Sequence, residues 1–250
     1  MSGHSKWATI KHKKGAQDKA RGKLFAKLIR QVEVAAREGG GDINSNATLR
    51  TMFQKARDAS VPIDTITRAV KRGTGELEGV RYEAVNYEGY AAGGVAVIVE
   101  CLTDNRNRTS ADVRSTFSKS GGSIAEPGAV AWQFNRKGVL TVGRDVDEET
   151  LTLAALSAGA EDVVDNTEAW EVITAPADLM EVRDGLEREG IAVVSAESVL
   201  LPSSTIELTT EVEARKVLRL IDALEDFDDV QNVVANFDIP DEILEEMGEE

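Results

Sequence analysis

Between Asp18 and Glu38 the apolar residues Leu24, Leu28, Val32 and Ala35 recur every three or four positions, while Lys19, Lys23, Lys27 and Arg30 fall on a different face. That spacing predicts an amphipathic helix with one packing side and one cationic side. Gly39-Gly40-Gly41 should end it at its C-cap. A second helix is expected from an N-cap at Asn46, with Leu49, Phe53 and Ala56 inward and Arg50, Lys55 and Arg57 outward. A third should open at Pro62, with Asp64 near the positive end of its dipole, Ile63, Ile66 and Val70 inward, and Arg68, Lys71 and Arg72 near its close. Three short helices over residues 1–80 make a small bundle.

From Tyr82 the period shortens. Tyr82–Tyr87 and Val95–Leu102 read as strands around Gly93-Gly94, and Asp104-Asn105 leads to a helix that holds Val113 and Phe117 and closes at Gly121-Gly122. Next come Ala131–Phe134 and Val139–Val142, expected as a hairpin around Lys137-Gly138, and a helix with Leu151, Leu153, Ala154 and Leu156. Strand character returns near Val163–Val164 and Trp170–Thr174, a helix runs through Leu179, Val182 and Leu186, and Ile191–Val194 and Val199–Leu201 read as two more strands. After Pro202 the chain offers a strand (Thr205–Thr209), a helix (Val212–Leu224) and a strand (Val230–Asn236). The segments flanking the middle unit can form one split βαβ sandwich with the middle unit inserted between its halves. The expected fold class is therefore α+β: an N-terminal three-helix domain followed by two ferredoxin-like α/β domains, the third inserted into the second. The expected boundaries are 1–80 for the helical domain, 81–128 plus 205–240 for the second, 129–204 for the insertion, and 241–250 for an acidic tail, with Asp238–Glu250 solvated and frayed.

Charge changes the picture. The 250 residues carry a net charge of −15, which ordinarily disfavours contact with phosphate. Yet residues 1–80 hold 16 Lys+Arg against 8 Asp+Glu, a balance of +8, and the remainder stands at −23. Segregation on this scale points to an interaction arm. Hydrophobic content of 42% and charged content of 29% are those of a globular protein. No apolar run approaches the ~20 residues that span a bilayer, so no membrane partner is expected. The basic N-terminus lacks the apolar stretch of a secretory signal, and one cysteine, Cys101, leaves no internal disulfide. A reducing cytoplasmic setting follows.

The candidate chemistry is that of binding. Gly3-His4-Ser5-Lys6-Trp7 and Ile10-Lys11-His12-Lys13-Lys14 set cations beside one large aromatic; lysines neutralise phosphate and an indole stacks on an unpaired base. Lys6, Trp7, Lys11, Lys13 and Lys14, continued by Lys19, Lys23, Lys27 and Arg30, form the expected contact set. Thr103-Asp104-Asn105-Arg106-Asn107-Arg108-Thr109 links a strand to a helix start, where Arg106 and Arg108 could clamp a phosphate. Alternatively, Asn107 or Thr109 caps the helix and both arginines are exposed or paired to the acidic body. Ser118–Ser123 follows a helix and reads as a C-cap, and Tyr90–Gly94 as turn chemistry. His4 and His12 lack the further ligands a zinc site needs, and Cys101 has no histidine beyond residue 12 to activate it. No cofactor, metal or catalytic constellation is expected.

Taken together, Gly3-His4-Ser5-Lys6-Trp7 with Ile10-Lys11, Lys14 and Asp18, Tyr87-Glu88-Gly89-Tyr90 with Gly93-Gly94, Thr103–Thr109, and Gly128 to Phe134 with Ala131-Trp132 resemble the YebC family. That family also includes a mitochondrial translational activator of cytochrome c oxidase. Ala92 stands where the family often has proline. The resemblance runs along essentially the whole chain and implies a helical domain followed by two α/β domains, the third inserted in the second, and a role in gene expression. Two roles are associated with it: a DNA-binding transcriptional regulator, and a ribosome-associated translation factor that binds ribosomal RNA. Residues 18–73 show no helix-turn-helix signature, since their cations are spread over several helices. Small-ligand sensing by the α/β lobes is a third class of function. The oligomeric state is not legible in the sequence.

Overall fold

The computed structural model describes residues 17–166 and 168–248. Its elements, in chain order, begin with helices α1 (Gln17–Gly39), α2 (Ala47–Asp58) and α3 (Ile63–Gly73). Strands β1 (Glu83–Tyr90) and β2 (Ala96–Thr103), helix α4 (Arg106–Lys119) and strand β3 (Ser123–Ala125) follow. Then come β4 (Phe134–Val142), α5 (Glu148–Ser157), β5 (Asp162–Asn166), β6 (Ala169–Thr174), α6 (Leu179–Arg188) and β7 (Val193–Pro202). The chain closes with β8 (Ile206–Glu207), α7 (Glu211–Glu225), β9 (Val230–Ala235), β10 (Phe237–Asp238) and α8 (Asp241–Gly248). The fold is α+β, with the helices first and two antiparallel four-stranded sheets after them. Two compact units partition the described residues: 80–135 with 201–248, and 17–79 with 136–200.

The helical bundle closes on Leu28, Val32, Ala35, Ala36, Leu49, Ala56, Ile66 and Ala69. Leu24 and Ile63, placed inward by periodicity, are exposed: the buried stripe of α1 starts one turn later at Leu28, and Ile63 is the first residue of α3. Asn46 caps α2 as expected, accepting from the Leu49 N–H at 2.9 Å. Its amide also donates to the Ala35 and Gly40 carbonyls at 2.8 Å each, so one buried side chain ties the end of α1 to the start of α2. Gly73 packs against α1 so closely that a Cβ would run into the Glu33 carbonyl and the Ala36 methyl. The tight crossing needs glycine there.

In the unit of residues 80–135 and 201–248 the sheet order is β3-β1-β2-β9. Alternation along β2 buries Val97, Val99 and Cys101 against Val113 and Phe117 of α4 and Val217, Ile221 and Leu224 of α7. A second sheet, within residues 134–202, has the order β5-β6-β4-β7 with α5 and α6 over a core of Leu140, Val142, Leu151, Val172, Leu179, Val182 and Leu186. Its βαββαβ path is the ferredoxin-like split sandwich. The other sheet reaches the same layering of four strands and two helices through a different order of delivery, its last strand arriving only after the insertion.

Several local expectations are corrected. No hairpin forms around Lys137-Gly138, because β4 runs unbroken from Phe134 to Val142. Gly138 faces Thr174 across the ladder, where a Cβ would meet the Thr174 hydroxyl and Leu179, so its glycine serves close approach and not a turn. The two strands expected at Ile191–Val194 and Val199–Leu201 are one continuous strand, β7, which starts at Val193 and runs through its polar middle around buried Ala196. Thr205–Thr209 reduces to the two residues of β8, paired in parallel with β10. The C-terminal segment is not frayed: α8 packs Ile243, Leu244 and Met247 on the core. Among the described residues no helix is long and apolar enough to cross a membrane.

Candidate nucleic-acid interface

Lys6, Trp7, Lys11, Lys13 and Lys14 lie outside the described residues, as does the His4/His12 pair, and Lys19 sits on α1. Lys23, Lys27 and Arg30 line the same helix and are half-buried. Among the described residues the exposed cations of the bundle are others: Arg50 and Arg57, seven residues apart on α2, and Arg68 and Lys71, three apart on α3. Each spacing keeps its pair on one side of its helix. Among the described residues no ion pair is found for these four. By contrast Lys55, expected outward, reaches Glu197 at 3.0 Å, and Arg72 reaches buried Glu33 at 2.8 Å. Arg50 and Arg57 face outward as their helical spacing predicts, and Arg68 and Lys71 lie near the close of α3 as expected.

The Thr103–Thr109 loop resolves the competition between clamp and cap. Asn105, and neither Asn107 nor Thr109, caps α4, accepting from the Arg108 N–H at 3.1 Å. The hydroxyls of buried Thr103 and Thr109 donate to Asp229 Oδ2 at 3.1 and 2.8 Å. Arg108 Nη2 joins the same oxygen at 2.7 Å and Asp104 Oδ1 at 2.8 Å. Burial pushes the Asp229 carboxyl up, but Arg108, Thr109 and Thr103 outweigh burial and hold it below the ordinary range. The two arginines are thus not equivalent: Arg108 is paired to carboxylates, while Arg106 stands exposed with its carbonyl accepting from Tyr87 Oη at 3.3 Å.

A second built feature lies at Gly128–Gln133. Glu88, 8% exposed on β1, accepts the backbone N–H groups of Gly128, Val130 and Ala131 at 2.6, 2.7 and 2.9 Å. Burial pushes its carboxyl up, yet these three bonds hold it below the ordinary carboxylate value. Tyr90 Oη donates to the Ala129 carbonyl at 3.3 Å, and so does the Trp132 indole N–H at 3.0 Å. Beyond the turn, Gln133 Oε1 accepts from Asn236 at 2.9 Å and its carbonyl from the Ser203 N–H at 2.7 Å.

Residues 5–76 are matched by the family model for the TACO1/YebC protein N-terminal domain, and residues 82–237 by that for the TACO1/YebC second and third domain. The chain belongs to the TACO1/YebC family. It is 54% identical to a protein of Halothermothrix orenii over the whole of both chains, and 57% identical to one of Thermobifida fusca over 98% of each. Both are named probable transcriptional regulatory protein. The crystal structure of a conserved hypothetical protein from Aquifex aeolicus superposes with a TM-score of 0.83 at 47% identity, covering 91% of this chain and 94% of that one.

In this TACO1/YebC chain the remaining candidates are structural. Cys101 is buried in the core, Ser120 with Gly121 closes α4, and Gly93 and Gly94, at φ of 70° and 77°, turn the chain between β1 and β2. Among the described residues no group of His, Cys, Asp and Glu is placed to hold a metal ion. The Glu88 anchor was missed from sequence because its partners lie 40 or more residues away and are backbone groups.

Proposed function

We propose that the chain is a non-catalytic regulator of gene expression that binds nucleic acid through its basic helical N-terminal region, as a DNA-binding transcriptional regulator. The observation that carries this reading is the segregation of charge, +8 over residues 1–80 against −23 elsewhere, together with four exposed arginine and lysine side chains on α2 and α3. Such cations neutralise backbone phosphates without reading bases. The names of the relatives support regulation at the level of transcription. A second reading, a ribosome-associated factor on ribosomal RNA, is favoured by the spread of those cations over two helices, which offers no single helix for a major groove.

Sedimentation of the native protein from lysate through a sucrose gradient, with and without nuclease, separates the two. Comigration with ribosomes supports the translational role; recovery on DNA alone supports the transcriptional one. Reversing Arg50, Arg57, Arg68 and Lys71 to Glu, or Lys11, Lys13 and Lys14 to Glu, should weaken binding at least about 10-fold and flatten its salt dependence. Unchanged affinity in both variants removes the N-terminal region from the interface.

A further inference from the structure

The Gly128–Gln133 turn presents an exposed aromatic on an unusually fixed support. Trp132 is 75% exposed, which for so large an apolar ring is a standing loss of burial. Its backbone does not share that freedom. On one side three N–H groups of the turn converge on the buried Glu88 carboxylate, and Tyr90 holds the Ala129 carbonyl. On the other side Gln133 is pinned by Asn236, itself 1% exposed and bonded through its Oδ1 to the Ala96 N–H at 2.7 Å. The ring's only polar group, the indole N–H, is already committed to the turn's own Ala129 carbonyl. What Trp132 offers outward is therefore a flat π-surface with no donor left over.

We infer that Trp132 is a stacking platform for an unpaired nucleobase, a second nucleic-acid contact separate from the cationic helices. The inference rests on the nucleic-acid reading above and names what that reading leaves open: unpaired bases are engaged as well as phosphates. A base presents a face that needs no hydrogen bond, which suits a ring whose donor is used up. The unit that carries the turn, residues 80–135 with 201–248, holds 8 Lys+Arg against 19 Asp+Glu, so nothing there draws in a phosphate backbone. Contact there is by stacking, and its support is rigid before the ligand arrives, so little ordering remains to be done on binding. Trp170 makes the contrast within the same chain: it is buried, its indole N–H donates to the Val146 carbonyl at 3.1 Å, and the Arg144 guanidinium lies 4.1 Å from its ring centroid. That tryptophan is used up inside the protein, and Trp132 is not.

The test uses the full chain and three labelled probes: a 12-nucleotide oligoadenylate RNA, the same sequence as single-stranded DNA, and a 12-base-pair duplex. Trp132→Ala should weaken binding to a single-stranded probe about 5- to 150-fold, the loss of one stacked base, and Trp132→Phe should recover most of it. The slope of log K against log[salt] should not change, because no phosphate contact is removed. Duplex binding should be unaffected. Single-stranded probes should also quench tryptophan emission, and that quenching should shrink in Trp132→Phe. Preference between the RNA and DNA strands tells which source supplies the base. Wild-type affinity and quenching in Trp132→Ala overturn the inference while leaving the cationic interface in place. If the wild-type chain binds none of the three probes, both readings fall together.

Discussion

Two carboxylates in the same unit, buried Glu88 and half-buried Asp229, do opposite things with the groups they hold. Glu88 collects backbone N–H groups and so fixes a turn whose side chain, Trp132, stays outside. Asp229 collects side chains, two threonine hydroxyls and the Arg108 guanidinium, and ties a candidate binding group into an ion pair at the surface. Both are held below the ordinary carboxylate range against the effect of burial. The difference lies in what satisfies them: main-chain donors leave the side chains of a loop free to project, whereas side-chain donors are consumed. A charged residue in a motif is thus no guide to a binding role until the nearest buried acid is known.

The comparison breaks most visibly if Glu88 is removed. Glu88→Ala leaves three converging N–H groups without an acceptor and should lower the stability of its unit by about 3 kcal/mol, read as a fall in the urea midpoint. Trp132 emission should shift as the turn loosens. Asp229→Ala should be milder, about 2 kcal/mol, because two buried threonine hydroxyls lose their acceptor while Arg108 can turn to water. Equal losses would mean that the turn is not more dependent on its anchor than the α4 start is on Asp229.

Acid sharpens the same contrast at lower amplitude. A carboxyl whose folded value lies below its unfolded one binds fewer protons when folded, so stability rises with pH across that window. The contribution of each acid is present above its unfolded value, 4.5 for Glu88 and 3.8 for Asp229, and is lost as pH falls through the lower folded value. Urea midpoints followed from about pH 7 to about pH 3 should therefore drop on the acid side, and Glu88→Gln, which cannot titrate, should flatten part of that drop. A curve for Glu88→Gln parallel to wild type would show that Glu88 contributes nothing to the acid limb.

How much of this could be read from the chain follows the range of the interactions. The Asn46 cap, the inward faces of α4 and α6 and the glycine turn before β2 rest on neighbours within a few residues, and local pattern finds them. The Gly128–Phe134 motif was legible as a resemblance, but its geometry was not: Ala131–Phe134 has strand composition, and residues distant in sequence, Glu88 foremost, hold Ala131–Gln133 in a turn. Gly138 misled for a related reason, since glycine marks a turn or a close approach equally well and only Thr174 decides. At Arg108 both outcomes were open from sequence, and Asp229, 121 residues away, selects one.

Arg108 supplies the smallest and most discriminating effect. If its guanidinium stays with Asp229 and Asp104, Arg108→Ala should change nucleic-acid affinity less than about twofold and leave the salt slope unaltered. Arg106→Ala removes an exposed cation with no ion pair among the described residues, and any phosphate contact from this loop should disappear with that substitution instead. A slope reduced by about 0.9 in Arg108→Ala would mean that one phosphate had been neutralised by it. Arg108 would then have to leave a carboxylate held below its ordinary range, and binding should weaken at pH values where Asp229 is charged. Asp229→Asn, which keeps the shape and removes the competing charge, should strengthen binding in that case and leave it unchanged if Arg108 only braces the start of α4.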